Sequence, residues 1–264
     1  MNGRKGTIYA LAMTMAAVLI ATGCPTESDP KEKPGPDPVL VPETRMFIGP
    51  SLTLAGQVRL FDTGTEKPVK FEGNRNVSFR SLESVNLGGF GNIVDGHLKF
   101  KIDVPASTAF SPTRPLPPAL VPMAKVFDGY DSMYEDFSME PSNAKGVAMR
   151  SLTTSGGGMS GFMHRMAART EGTTETLDEV FYVYVNADVA IKGYGMTVSG
   201  EGGSSSTEGV NISLKTGWNV IHLSSATFHS QDGTTAGQTV KMSAANPDWV
   251  GWVLRESGDT IEFK

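Results

Sequence analysis

His222 and His229, with Asp232 nearby, are the two of four histidines that lie close together in this 264-residue sequence, and they could supply nitrogen and oxygen ligands to a metal. Zinc takes such groups in a tetrahedral arrangement, usually with a tight spacing between the first two ligands. That spacing is missing, so the pair reads as ordinary histidines on strand faces. Asp128, Asp131 and Asp136 lie in an acidic run that offers the hard oxygens calcium prefers. The run does not follow the spaced EF-hand loop and reads as a solvated connection, so no metal is expected. Gly156 to Gly161 is glycine-rich but lacks the Lys-Ser/Thr ending that grips phosphate, and reads as a hairpin loop. No nucleophile elbow, zinc-protease helix or dinucleotide fingerprint occurs. The expectation is therefore a chain that is not an enzyme and holds no cofactor. Paired carboxylates of a glycosidase carry no short signature, which keeps a secreted polysaccharide hydrolase open as an alternative.

Aromatic side chains are the other candidates. Tyr194, Trp249 and Trp252 could stack on a sugar ring or anchor a protein partner. Successive residues of a strand point to opposite faces, so a regular strand cannot present Trp249 and Trp252 on one face. Trp218 sits among Val220 and Ile221 and reads as core.

These groups must be carried by something, and the start of the chain says where. Arg4 and Lys5 precede an uncharged apolar stretch, Ile8 to Ala21, which is the layout of an export signal. The stretch is too short to span a bilayer core of about 30 Å as a helix. It ends in Ala21-Thr22-Gly23-Cys24, which resembles the lipobox of bacterial lipoproteins. That resemblance implies removal of residues 1–23, acylation of Cys24 and attachment to the outer or inner membrane on its extracytoplasmic side. Two or more acyl chains make such attachment stable. The same three residues also fit the small-x-small pattern of general signal peptidase, which would release a body with a free thiol. Cys24 is the single cysteine, so no intramolecular disulfide can form.

Without residues 1–23 the chain has 21 basic and 28 acidic side chains, a net charge of −7. No excess of positive charge is available for phosphates, and nucleic acid is not an expected partner. Residues 24–44 hold the lipidated cysteine and a proline-rich, charged segment that cannot bury enough apolar surface to fold. Extended at about 3.1 Å per residue, such a tether reaches on the order of 50 Å. A second proline cluster, from Pro105 to Pro122, cannot form a central strand. It suggests a boundary between modules at 45–122 and 123–264; a long loop crossing one sandwich would look the same.

Both parts read as strands. Leu52 to Leu60 alternates with period two, and Asp95-Gly96 supplies the positive-φ pair of a hairpin whose second arm puts Leu98, Phe100 and Ile102 on one face. Val180 to Val185 is apolar on both faces and belongs inside a sandwich. Met159, Phe162, Met163 and Met166 have helical spacing but lie in a β series, and are read as a strand. Val210 to Leu214, Trp218 to Leu223, Val250 to Leu254 and Ile261 to Phe263 complete the pattern. The expected fold is all-β: two tandem antiparallel β-sandwich, immunoglobulin-like modules after the tether.

The order Tyr182 to Val185, Asp188 to Gly193 and Asn211 to Asn219 resembles the C-terminal region of uncharacterised spirochaete-type envelope lipoproteins. The resemblance implies location and fold, and no activity. The functional expectation is a binding or adhesion role at the cell surface, with a glycan or protein ligand and the membrane as partners. A structural subunit that joins an assembly through an open strand edge is a further alternative.

Overall fold

The computed structural model describes residues 47–62, 67–80, 87–105, 119–157, 159–200, 203–230 and 235–256. Cys24, the export segment and tether, Pro112 to Pro118, Asp232 and Ile261 to Phe263 lie outside the described residues. The strands, in chain order, are β1 Phe47–Gly49, β2 Leu52–Asp62, β3 Lys67–Lys70, β4 Arg75–Ser78, β5 Phe90–Val94, β6 His97–Ile102, β7 Val121–Pro122, β8 Tyr134–Glu140, β9 Lys145–Met149, β10 Ser151–Gly156, β11 Met159–Glu171, β12 Thr174–Val185, β13 Val189–Gly195, β14 Thr197–Gly200, β15 Gly203–Thr207, β16 Val210–Leu214, β17 Gly217–His229, β18 Thr235–Ser243 and β19 Gly251–Glu256. One four-residue helix, α1 Met123–Val126, interrupts them. The protein is all-β, as the alternation predicts. No helix among the described residues is long and apolar enough to cross a membrane.

Strand pairing differs from two tandem sandwiches. The ladder runs β10–β4–β5–β6–β2–β19–β11, and β11 returns to β10, closing these strands into a barrel. Every step is antiparallel except β2 with β19, where Val58 faces Trp252. Closure removes the exposed edges that a sheet would otherwise present. It also interleaves the chain on both sides of residue 122, because β2 pairs with β19 and β4 with β10. Period-two alternation says which face of a strand is buried but not which strand lies beside it. A barrel and a sandwich therefore share one sequence pattern.

The Asp95-Gly96 hairpin forms as its residues require. Asp95 has φ 48° and Gly96 φ 75°, and a Cβ on Gly96 would stand 1.9 Å from the carbonyl oxygen of Phe71. Beyond the turn β6 alternates strictly, with Leu98, Phe100 and Ile102 in the barrel core and His97, Lys99 and Lys101 outside.

Beyond the barrel the sheet continues as β11–β12–β17–β18–β15–β14, with β9 beside the C-terminal half of β12. A separate sheet, β16–β13–β8, contributes to a second core with β12, β17 and β18. The doubly apolar Val180 to Val185 now has its cause. Val180 and Tyr182 join the barrel core with Met149, Trp218 and Val220. Phe181, Val183 and Val185 join the second core with Ile191, Ile212 and Val240. This length of β12 is a wall between two cores, and each large side chain buried on it contributes about 1.5–3 kcal/mol. The Met-rich segment is the strand β11. Met163 enters the barrel core, while Phe162 points outward; pairing with β10, β12 and β19 overrides the helical spacing.

Candidate functional site

On β11, β12 and β17 one face runs past the barrel core and turns polar. Asp178 of β12 stands in register between Ala167 of β11 and Ser224 of β17. Its parity matches Val180 and Tyr182, so it points inward, and it is only 1% exposed. Water cannot solvate it there, and protein donors replace water. Arg169 donates to Oδ2 from Nε at 3.2 Å and from Nη2 at 3.0 Å. His222 Nε2 lies 2.9 Å from Oδ1, and the Trp249 indole N–H reaches Oδ2 at 3.3 Å. Burial alone pushes this carboxyl's pKa up. Hydrogen bonds from Ser224, His222 and Trp249, with the charge of Arg169, outweigh burial and hold it below the usual carboxylate range.

Trp249 lies just before β19, in the segment that crosses from β18. Arg165 of β11 fastens the same segment, donating from Nε to the carbonyl of Val250 and from Nη2 to that of Pro247, both at 3.2 Å. Its Nη1 also donates to Asn246 Oδ1 and, at 2.9 Å, to the Tyr182 hydroxyl. The indole is thus fixed by its N–H to a buried anion, with the Arg169 guanidinium 5.8 Å from its ring centroid and the edge of His222 against it. Its ring nevertheless remains 57% exposed.

The carboxylate spends its acceptor positions on Arg169, His222, Ser224 and Trp249, so it orients neighbours and is not a free base. What the arrangement offers outward is a rigid aromatic face beside a half-exposed guanidinium. Such a face stacks on sugar rings or planar groups.

The other candidates are dispersed. Trp252, one of the three aromatics singled out as ligand contacts, is 6% exposed and stacks on Tyr182 in the barrel core at 6.4 Å; it packs and cannot meet a ligand. Tyr194 is half exposed on β13, in the other sheet. His229 faces Glu175 at 3.5 Å, while His222 faces Asp178. Their seven-residue separation along β17 puts them on opposite faces. Asp128 and Asp136 are exposed, with Asp131 in the turn between them. Among the described residues no group of three or more His, Cys, Asp or Glu could hold a metal ion. Gly156 and Gly157, with φ of 142° and 62°, make the β10–β11 turn. Sequence reasoning passed over Asp178 and Arg169; the available signal was a charge at Asp178 with the parity of a buried face.

A second polar group lies on the outer side of β11. Burial, and then the charge of Arg255, hold the His164 imidazole at about 4. An unfolded histidine titrates near 6.5, so neutral His164 stabilises the fold fully above that pH, and the contribution is lost as pH falls from about 6.5 towards 4. At about 1.36 kcal/mol per pH unit, the loss reaches about 3 kcal/mol. His164→Gln is expected to flatten this part of the stability profile. Urea midpoints between pH 7 and pH 4.5 measure it, and an unchanged slope would assign the dependence to other groups.

Comparison with protein-family models, with curated proteins and with solved structures finds no match to this chain.

Proposed function

We propose that this chain is a lipid-anchored envelope protein that works by binding, and that Trp249 is the centre of a glycan-binding surface. The observation that carries the second part is an indole more than half exposed yet immobilised through a buried, ionised carboxylate. A side chain held in one orientation loses little entropy when a ligand covers it. The ring face would pack on the C–H face of a sugar, and Arg169 would donate to hydroxyl or carboxylate oxygens at its edge. The lipobox-like Ala21 to Cys24 supports the anchor. An export signal followed by a proline-rich tether supports a working place outside the cytoplasm.

A glycan array probed with the full chain tests this reading. Binding is expected, and Trp249→Ala should weaken it about thirtyfold, the effect of losing a 2 kcal/mol hot spot. The melting temperature should move little, because the ring is largely exposed. An array without a ligand, or full binding by the variant, would remove the proposal.

A further inference from the structure

A groove of about 420 Å³ crosses the outer wall of the barrel where β3 joins β2, lined by Gln57, Arg59, Pro68 and Lys70. It has the volume of a small-molecule site. Register puts its lining on one side of the sheet. Arg59 stands opposite Lys70, and Phe61, two residues on, stands opposite Pro68. Val58 belongs to the barrel core, so Gln57 and Arg59 on either side of it face outward. Like charges directly opposite each other on paired strands are destabilising. On β3, a lysine and a proline are ordinary guards of a sheet edge. Arg59 has no such role, because β2 is flanked by β19 on its other side, where Arg59 pairs with Val253.

The two cations are available to a ligand. Arg59 is exposed, and no ion pair among the described residues engages it. Lys70 meets Glu72 at 2.6 Å, but the two side chains are 71% and 72% exposed, and a contact so open to water holds the lysine weakly. A third cation borders the groove, since the Arg255 guanidinium lies 5.4 Å from the ring centroid of Phe61. Gln57 contributes the opposite polarity. Its Nε2 donates to the carbonyls of Gly96 at 3.1 Å and Val58 at 3.3 Å. Both amide hydrogens are thereby used, and Oε1 is left as an acceptor.

Cations beside a fixed acceptor match a ligand that carries a negative group and a neighbouring hydroxyl. We propose that this groove binds a sugar bearing a phosphate or sulfate ester, with Arg59 and Lys70 on the oxyanion and Gln57 Oε1 accepting from a ring hydroxyl. The guanidinium fork fits two oxygens of such a group, and the lysine adds a point charge. Gln57 and Arg59 are two residues apart on one strand face, about 7 Å, a distance that a hexose and its ester span. The chain as a whole has a net charge of −5, so attraction of an anion is confined to this part of the surface. The groove shares no residue with the Trp249 cluster, and the proposal stands or falls independently of it.

Titration of the isotopically labelled full chain with glucose 6-phosphate at constant ionic strength tests this, read from the Arg59 Nε–H and Gln57 amide resonances. Saturable shifts are expected, with a dissociation constant on the order of 1 mM for an exposed site of few contacts. A parallel titration with glucose 6-sulfate tells which ester is preferred. Unmodified glucose and inorganic phosphate should each bind at least fivefold more weakly. Arg59→Gln should weaken binding about tenfold, the effect of losing a charge-assisted hydrogen bond. Glu72→Gln should strengthen it two- to threefold by releasing Lys70. Lys99→Gln, the same charge change on β6, and Trp249→Ala should leave the constant unchanged. Equal weakening by Lys99→Gln and Arg59→Gln would mean diffuse attraction and overturn the proposal. So would the lack of saturable shifts with both esters, or inorganic phosphate binding as tightly as the sugar phosphate.

Discussion

Asp178→Ala is expected to lower the free energy of unfolding at pH 7 by about 3–5 kcal/mol, the cost of breaking a buried ion pair from one side. Arg169 is half exposed and can turn to water, which limits its share. The His222 N–H has no such freedom, and a buried donor left without an acceptor costs about 1–3 kcal/mol. Asp178→Asn keeps the shape and one acceptor oxygen, so a loss near the lower end is expected from it. The pH dependence has a definite sign. The folded carboxyl has its pKa lowered, so its contribution is present above the unfolded value near 3.9 and is lost as pH falls through the folded one. The difference between native chain and variant should therefore be full at pH 7 and shrink below pH 4. Urea unfolding at both pH values measures it, and a loss under about 1 kcal/mol at pH 7 would mean that the carboxylate is effectively solvated. Glycan binding should weaken in Asp178→Ala as well, because the indole loses the group that fixes it.

The same cluster marks where reading the sequence stops being sufficient. Leu98, Phe100 and Ile102, the Asp95-Gly96 turn and the burial of Trp218 follow from side-chain parity and backbone preference, which are local. Exposure of Trp249 could also be anticipated in part, since it and Trp252 are three residues apart and cannot share a regular strand face. Asp178, Arg169 and His222 come from three strands and meet only through the registers of β11 with β12 and β12 with β17. Those registers are set by packing on both faces of β12 and are not encoded in any one segment. The barrel is hidden for the same reason. One step of its ladder joins Val58 to Trp252, residues near opposite ends of the described chain. The proline cluster suggested a boundary because it interrupts local pattern, yet long-range pairing runs past it.

Trp218→Ala is expected to cost about 3–5 kcal/mol, a large part of the 5–15 kcal/mol by which domains are usually stable. Trp218 is fully buried where β12 and β17 meet the barrel core. Its ring lies edge-on to Phe79 at 6.5 Å and to Tyr184 at 5.6 Å, and its N–H donates to Asp103 at 2.8 Å. Phe79 follows β4 of the barrel, Tyr184 belongs to the dividing strand β12, and Asp103 follows β6. One side chain thus joins parts of the chain more than a hundred residues apart, and alanine would leave a cavity among elements already tied by backbone pairing, with little room to collapse. Trp218→Phe separates the two contributions. It keeps most of the apolar volume and deletes the donor, so about 1–2 kcal/mol is expected from it. Denaturant midpoints with an unchanged m-value would show that barrel and second core unfold together in both variants. A raised baseline or a second transition in Trp218→Ala would instead mean that the two cores are only loosely coupled through this residue. A loss below about 2 kcal/mol in the alanine variant would contradict the packing argument itself, since no other fully buried side chain of this size holds the barrel to β17 among the described residues.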